Sequence, residues 1–376
     1  MSAPDVIVVG GGPAGSAAAA WLADAGARVV LVERTAGAHD KVCGEFVGAD
    51  ALALLHDLGV DPAGLGAVPV ERLRLLHGAR TAEAPLPFPA ASLSRRILDE
   101  HLLDIARDRG ATVRRGVAVR AAETGPGGVR VALADQSVLT AGALFLATGK
   151  HDLRGHGRGP GVQNGLIGFK MHLELPAAQA AVLERAVELM LFDGGYAGLQ
   201  PVGGGLANLC LLVTRRAYAA AGGSWPRLLE RLADGAWAER LAGARPCWPR
   251  PLSVYGLPYG YVAGAEAGPL FRLGDQMAVI PSFAGDGIAI ALRSARMAVD
   301  ALMAGGADAH GYHRAAAGRF GTGVRAAAWA SRALEHPLLQ GVAVEAARTM
   351  PGALAWAAGS MRLGGGCVHR NMQACS

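Results

Sequence analysis

The pattern of apolar and polar positions at the start of the chain predicts a strand, a helix and a second strand in close succession. An apolar β-branched run over 6–9 precedes a glycine cluster at 10–15, and the alanine-rich segment Ser16–Ala25 stops before Gly26. The next run, Arg28–Glu33, has four apolar residues between its first arginine and its final acid. Short apolar runs bounded by glycine are typical of strands, so this segment predicts a βαβ unit.

Further along, an amphipathic helix is predicted over Ile97–Arg109, after Ser94 and before Gly110. Strands are then predicted over Thr112–Arg115, Val117–Ala121, Val129–Leu133, 143–149, Leu166–Leu175, Glu188–Phe192, Gly195–Val202 and Leu206–Val213. The alternation within 168–175 predicts a sheet with one exposed face. Later segments predict a strand over Leu270–Asp275, a loop over Gln276–Asp286, a helix over Gly287–Met303 and a helical tail from Ala309.

Composition narrows the class of protein. With 376 residues, 51% hydrophobic and 18% charged, the chain is too apolar to be disordered and long enough for two domains. A net charge of +5, from 36 basic and 31 acidic residues, comes without basic runs between aromatics, which argues against nucleic acid binding. Among the basic residues only Lys41, Lys150 and Lys170 are lysines.

The cysteines form no paired motif, which predicts a reducing compartment and no metal site. They are Cys43, Cys210, Cys247, Cys367 and Cys375. Residues 1–5 carry no basic segment typical of a signal peptide, and glycine or proline interrupts the long uncharged runs Val6–Ala23 and Tyr196–Thr214. We therefore expect a soluble cytoplasmic protein without an integral membrane segment.

The glycine cluster has the spacing GxGxxG at Gly10, Gly12 and Gly15, with Glu33 at the end of the second predicted strand. In a dinucleotide site the first glycine permits the turn and the second lets the pyrophosphate approach the backbone. The third lets helix and strand pack closely, and the acid binds a ribose. The alternative is a glycine turn without a ligand. No second cluster has suitable flanks, so we expect one tightly bound dinucleotide.

Several motifs together resemble the FAD-containing superfamily of the para-hydroxybenzoate hydroxylase type. They are 6–15 with Glu33, Ser94-Arg95, Ala147–Gly149 and Leu273–Asp275 followed by Pro281 and Gly285–Gly287. Within that superfamily, Lys41–Glu45 and 285–292 are most similar to the geranylgeranyl reductase branch, and the resemblance covers roughly residues 4–305.

The resemblance implies an α/β fold: a FAD-binding Rossmann-like domain of the glutathione reductase type, an inserted antiparallel β substrate sheet and a helical C-terminus. The expected boundaries are 1–65, 90–160 and 265–305 for the FAD-binding domain, 66–89 and 161–264 for the substrate sheet, and 306–376 for the helical segment. NAD(P)H is the expected transient electron donor.

The resemblance also implies residue roles. Arg95 would bind the FAD pyrophosphate and Asp275 the ribityl chain, while Gly285 and Gly287 would let the backbone pass close to the flavin. Cys43 would pack beside the flavin, either as a small apolar neighbour or as a redox thiol. The other residues expected at FAD are Pro13, Ala14, Arg34, Lys41, Gly44, Val119, Gly149, Pro281 and Ile288.

Substrate chemistry has fewer candidates. Lys170 and His172 are two apart on a predicted strand and so share a face. If that face lines the cavity, His172 could shuttle a proton and Lys170 could hold an anionic group. Otherwise both lie on an exposed sheet face. Tyr196 and Gln200 are further candidates for the cavity lining. The segment Val342–Met361 could cap a hydrophobic cavity, touch a membrane surface or pack on the body.

Three functions stay open. The first is a monooxygenase that hydroxylates an aromatic, polyketide or lipid-like molecule through a flavin hydroperoxide, the substrate being free or tethered to a carrier protein. The second is a reductase of isoprenoid double bonds, ranked lower because Gly195–Pro201 lacks the Tyr-x-Trp-x-Phe-Pro pattern of those enzymes. The third is a flavin- or lipid-binding module without turnover. The halogenase signature Trp-x-Trp-x-Ile-Pro is absent, which argues against halogenation.

Overall fold

The computed structural model describes residues 4–125, 127–233, 237–360 and 362. Its strands are β1 (Val6–Val9), β2 (Val29–Glu33), β3 (Phe46–Gly48), β4 (Val68–His77), β5 (Arg80–Ser92), β6 (Thr112–Arg115), β7 (Val119–Gly125), β8 (Gly128–Leu133), β9 (Val138–Ala141), β10 (Ala143–Leu146), β11 (Leu166–Glu174), β12 (Ala186–Phe192), β13 (Gly195–Gly203), β14 (Leu206–Thr214), β15 (Arg245–Pro246), β16 (Leu252–Tyr255) and β17 (Leu270–Arg272). Its helices are α1 (Pro13–Asp24), α2 (Ala49–Asp57), α3 (Arg95–Asp108), α4 (Ala177–Leu183), α5 (Arg215–Ala220), α6 (Trp225–Leu232), α7 (Trp237–Leu241), α8 (Gly287–Gly305), α9 (His310–Ala333), α10 (Pro337–Thr349) and α11 (Pro351–Ser360).

The first sheet is parallel and has the strand order β17-β10-β1-β2-β6. Every residue of β1 is buried, because successive side chains point to opposite covered faces. Val6 and Val8 pack with α1, α3 and α8 on one face. Ile7 and Val9 pack on the other face against the antiparallel sheet β7-β8-β9. The apolar runs of the sequence thus form the centre of a three-layer unit.

The second sheet has the order β15-β11-β14-β13-β12-β4-β5-β3, with β16 also paired to β11. All of its pairings are antiparallel except β12 with β4. Phe169 and Met171 of β11 face a core that includes Leu228 of α6 and Trp237 of α7. Lys170 and His172 point to the opposite face and are also buried. The prediction of an exposed sheet face at 168–175 is therefore wrong, because both faces of β11 are covered.

The predicted bounds of strands and helices agree best with the structure where a capping residue or a turn marks the boundary. Strand β6 has the predicted bounds, and α3 begins after Ser94, whose Oγ accepts a hydrogen bond from the Arg96 N–H. Strand β17 ends earlier than predicted, because Gly274 has a φ of +57° and begins a 3₁₀ turn, Gly274–Gln276. Among the helices of the described chain, none is both long and apolar enough to cross a membrane.

Candidate active site

A cavity of about 490 Å³ lies where the carboxyl ends of the parallel strands face the second sheet. Its walls come from the glycine turn after β1, residues 39–46, residues 147–153, residues 252–254 and the turn that leads into α8. This volume is typical of ligand pockets, about 300–1,000 Å³. The carboxyl edge of a parallel sheet is also where doubly wound folds bind nucleotides.

The glycine turn has the geometry of a phosphate site. A Cβ on Gly10, whose φ is +107°, would lie 2.4 Å from the carbonyl oxygen of Ala147. One on Gly15 would lie 1.9 Å from the carbonyl oxygen of Gly10, so both positions require glycine for the backbone itself. Above Gly12, by contrast, the neighbours of a Cβ would be the Arg95 guanidinium at 3.5 Å and the Lys41 ammonium at 3.9 Å. Two cations and the N-terminus of α1 therefore surround a space suited to a pyrophosphate.

Asp99 orients those two cations. Its carboxylate oxygens accept two hydrogen bonds from Arg95, at 2.7 and 2.8 Å, and lie 3.0 Å from Lys41 Nζ. Burial acts to raise the pKa of Asp99, but the charges of Arg95 and Lys41 outweigh it, and the pKa lies below its usual value. Sequence analysis did not single out Asp99. Its signal was the spacing of four from Arg95 on a helix.

Glu33 lies at the end of β2 and lines the cavity. Its Oε2 accepts from the Gly11 N–H at 2.7 Å, and its Oε1 accepts from the N–H and hydroxyl of Thr35. Burial would raise the pKa of Glu33, but the Gly11 hydrogen bond and the Lys41 charge lower it overall. An ionised carboxylate held in this way retains acceptor capacity for ribose hydroxyls.

Arg158 connects two further turns that line the cavity, one at Lys150 and one at Asp275. This buried guanidinium donates to the carbonyl oxygens of Asp275, at 3.2 Å, and Lys150, at 3.0 Å, and pairs with Asp152. Gln276 Nε2 donates to the Gly149 carbonyl oxygen on the same side. Sequence analysis did not identify Arg158, since its role depends on two turns that lie far apart in the chain.

Most residues expected at FAD line this cavity. They are Gly10, Gly12, Pro13, Ala14, Glu33, Arg34, Lys41, Cys43, Gly44, Arg95, Val119, Gly149, Asp275, Gly285, Gly287 and Ile288. Gly15 does not line it, because it packs beneath Gly10. Pro281 does not line it either and precedes the 3₁₀ turn Ser282–Ala284. The pocket, the converging cations and the glycine turn together fit FAD.

Lys170 and His172 meet at Glu45, which sequence analysis missed as a site residue. Glu45 Oε1 lies 2.6 Å from Lys170 Nζ and accepts from the Arg95 N–H at 2.8 Å, and Oε2 lies 2.7 Å from His172 Nε2. Glu45 lines the cavity, whereas Lys170 and His172 lie behind it. The alternative of an exposed face for the pair is wrong, since Lys170 is 0% and His172 6% exposed.

The charge of this cluster, Glu45–Lys170–His172, is balanced internally. Burial acts to raise the pKa of Glu45, but the hydrogen bond from His172 and the Lys170 charge lower it overall. Asp40 Oδ1 lies 3.4 Å from Lys170 Nζ and is partly exposed, and Trp248 covers His172 with a ring distance of 5.0 Å. Asp40, Glu45 and His172 have the spacing of a metal site, but the Lys170 ammonium already supplies the positive charge there.

Tyr196 and Gln200 do not line the cavity. The Tyr196 hydroxyl lies 2.9 Å from Ser282 Oγ and accepts from the Phe283 N–H, and burial raises the pKa of Tyr196. Tyr196 therefore positions the turn before α8. Gln200 donates to Ser92 Oγ inside the second sheet.

Two of the three lysines and one of the described cysteines line the cavity. Lys41 and Lys150 line the cavity, and Lys170 lies directly behind it. Cys43 lines the cavity, and its sulfur accepts from the Glu45 N–H. Cys367 and Cys375 lie outside the described residues.

Comparisons with known proteins support the interpretation of this cavity as an FAD site. A model of the FAD binding domain matches residues 3–141. The chain is 30% identical to the menaquinone reductase of Mycolicibacterium smegmatis over 323 residues, which cover 80% of this chain and 77% of the relative. It is 26% identical to the chloroplastic geranylgeranyl diphosphate reductase of Oryza sativa subsp. japonica, over 81% of this chain and 67% of the relative.

Among solved structures, a mutant of the halogenase PltM in complex with FAD has a TM-score of 0.74 at 16% identity, over 90% of this chain and 78% of that one. That likeness confirms the expected α/β flavoprotein fold. The sequence matches to the menaquinone and geranylgeranyl diphosphate reductases, which cover about four fifths of this chain, assign the family. The chain therefore belongs to the FAD-dependent oxidoreductase superfamily and, within it, to the geranylgeranyl reductase family.

Proposed function

We propose that the protein is an FAD-dependent reductase that saturates a carbon–carbon double bond of a polyprenyl chain. The observation that carries this proposal is the 30% identity, over four fifths of the chain, to a protein named menaquinone reductase. Other relatives are named as reductases of geranylgeranyl compounds. A geranylgeranyl chain and the side chain of a menaquinone consist of the same isoprenoid units, so their common reducible group is the alkene.

The cavity supports an apolar ligand. Its lining includes Val42, Phe46, Leu252, Val254 and Ile280, on the side that faces the second sheet. A ligand pocket that combines an apolar wall with a few polar groups fits a hydrocarbon chain beside a bound cofactor.

The residues of this chain would bind the cofactor and supply a proton. FAD, when bound, supplies the hydride chemistry. Arg95 and Lys41 would hold its pyrophosphate, and Glu33 would bind its ribose. Saturating an alkene adds two electrons and two protons, delivered as one hydride, which carries both electrons, and one proton. His172 Nε2 and Lys170 Nζ hold protons against Glu45, a residue of the cavity wall.

The test uses the FAD-loaded protein, reduced without oxygen by dithionite or, in parallel, by NADH or NADPH. Menaquinone or geranylgeranyl diphosphate is then added, and the product is analysed by mass spectrometry. We expect a product that carries two additional hydrogens on the polyprenyl chain. Protein without FAD is the control and should give no product.

Hydroxylation, which sequence analysis placed first, is the competing outcome. Reduced protein exposed to oxygen would then give a product with one additional oxygen atom and no added hydrogens. That result, or unchanged substrate under every reductant, would overturn the proposed reduction.

A further inference from the structure

The large apolar side chains that remain exposed concentrate near the C-terminus of the described chain. Five of them form what we call the apolar patch. They are Leu338, Leu339, Val342, Met350 and Trp356, with exposures of 85%, 46%, 65%, 58% and 74%. Apolar side chains scattered singly over a surface are ordinary, but a contiguous apolar surface marks an interaction site.

The two helices that carry the patch lie on the same face of the second sheet. Ala347 of α10 and Leu354 of α11 both pack in one cluster with Leu73 of β4 and with Ala82 and Ala84 of β5. The opposite sides of both helices therefore point outward together. Residues four apart share a helix face, which aligns Leu338 with Val342 on α10. The patch is thus one outward-facing layer.

The same part of the chain is positively charged. Residues 310–360 contain five arginines and two glutamates, a net charge of +3. Helix α9 has no acidic residue, and all of its arginines are exposed: Arg314, Arg319, Arg325 and Arg332. Apolar and tryptophan side chains that occur with exposed arginines are typical of surfaces that contact anionic lipid.

The inner side of α10 packs against residues that line the cavity. Val344 of α10 and Leu334, just before it, belong to an apolar cluster that also contains Tyr259 and Val254. Tyr259 and Val254 line the cavity. The segment therefore packs on apolar residues of the cavity wall on its inner side and carries the apolar patch on its outer side.

We propose that the outer face of α10 and α11 docks on an anionic lipid bilayer, from which the polyprenyl substrate reaches the cavity. The substrate part of this inference rests on the proposed function. The docking part rests on the patch and on the arginines of α9. A polyprenyl chain partitions into lipid, so an enzyme that takes its substrate there gains from residing at the bilayer surface.

The test measures binding of the FAD-loaded protein to sedimented vesicles of phosphatidylcholine with and without phosphatidylglycerol. We expect binding to the vesicles that contain phosphatidylglycerol and weaker binding at high salt, because exposed charges are screened. The double variant Leu338→Ser/Val342→Ser should weaken binding at least about tenfold, since two apolar side chains no longer enter the lipid. The matched control Val138→Ser/Val182→Ser removes two exposed valines elsewhere, 43% and 48% exposed, and should bind as the natural protein does.

Vesicle binding does not require turnover, so this experiment can succeed where the reductase assay fails, and the reverse. A natural protein that binds neither kind of vesicle would overturn the proposal. A second overturning result is that Leu338→Ser/Val342→Ser converts a dimer to a monomer in analytical ultracentrifugation without changing vesicle binding. The patch would then be an interface between copies, and the proposal would be wrong. Binding that requires removal of 363–376 would overturn it too, because the chain's own terminus would cover the patch.

Discussion

Glu45 holds together parts of the molecule that lie far apart in the chain. Its φ is +60°, a left-handed conformation uncommon for a residue other than glycine, and its carboxylate is bonded to Lys170, His172 and the Arg95 N–H. An unpaired buried charge costs far more than an exposed one. The cluster Glu45–Lys170–His172 therefore ties the segment before β3 to β11 and to the start of α3, and Glu45 brings it to the cavity wall.

Replacing the carboxylate by an amide should destabilise the protein strongly. We expect Glu45→Gln to lower the free energy of unfolding by about 3–5 kcal/mol, because Lys170 loses its buried counter-charge. Urea denaturation measures this. The control is Glu345→Gln, which removes an exposed pair with Arg348 and should cost less than about 1 kcal/mol. Equal losses in the two variants would contradict the role given to the cluster.

The substitution Glu45→Gln should also change how the free energy of unfolding depends on pH. The pKa of Glu45 is lowered in the folded protein from an ordinary value of 4.5. The stability that this shift contributes is fully present above the unfolded pKa and is lost as the pH falls through the folded pKa. Acidification below pH 4.5 should therefore destabilise the natural protein more than Glu45→Gln. If the free energy of unfolding fell equally with pH in the natural protein and in Glu45→Gln, the lowered pKa of Glu45 would not be contributing to stability.

At the scale of elements, the glycine turn between β1 and α1 shows that glycines of one motif serve different purposes. Gly10 and Gly15 are required by the fold, because a Cβ at either would meet backbone oxygen. Gly12 has an ordinary φ of −84°, and a Cβ there would meet only the ends of Arg95 and Lys41. Its lack of a side chain keeps space for the ligand.

Gly12→Ala should separate cofactor binding from folding. We expect FAD affinity to fall about 10- to 100-fold, which corresponds to about 1–3 kcal/mol of overpacking, while the apoprotein keeps its melting temperature. Flavin fluorescence titration and thermal denaturation measure the two effects. Gly37→Ala, at a position with nothing within 4 Å, should change neither. Gly15→Ala should impair folding itself. Unchanged FAD affinity in Gly12→Ala would place the pyrophosphate elsewhere.

For the whole molecule, the cavity is formed by both sheets and by turns from distant parts of the chain. Arg95 connects them directly, since its guanidinium lies above Gly12 and its N–H donates to Glu45. A ligand that contacts all of these segments stabilises only the folded state. Cofactor binding and global stability are therefore linked in this protein.

Removing FAD should lower the melting temperature of the natural protein. At a free FAD concentration of about 100 times Kd, bound cofactor adds about 2.7 kcal/mol to the free energy of unfolding. Differential scanning calorimetry with and without FAD measures the shift. In Gly12→Ala the same FAD concentration should give a much smaller shift. A shift of equal size in both proteins would show that the stabilising site is not the pocket above Gly12.

Strands β4 and β5 lie largely within 66–89, the segment expected in the substrate sheet, but their individual bounds were not predicted. They form the longest hairpin of the second sheet. Pro85, Pro87 and Pro89 fall within β5, and proline within a run argues against a strand. Pairing with β3 and β4, together with cover from α10 and α11, overrides that local signal.

The sequence by itself determined the βαβ unit, the glycine turn, Glu33 and the cap of α3 at Ser94. Each of these depends on hydrogen bonds or steric limits within a few residues, or on one strand pairing with the next. Only the tertiary structure decided that Lys170 and His172 are buried and meet Glu45, 125 and 127 residues away in the chain. Burial and charge pairing depend on which distant segments pack together, and the local pattern of one strand does not contain that information.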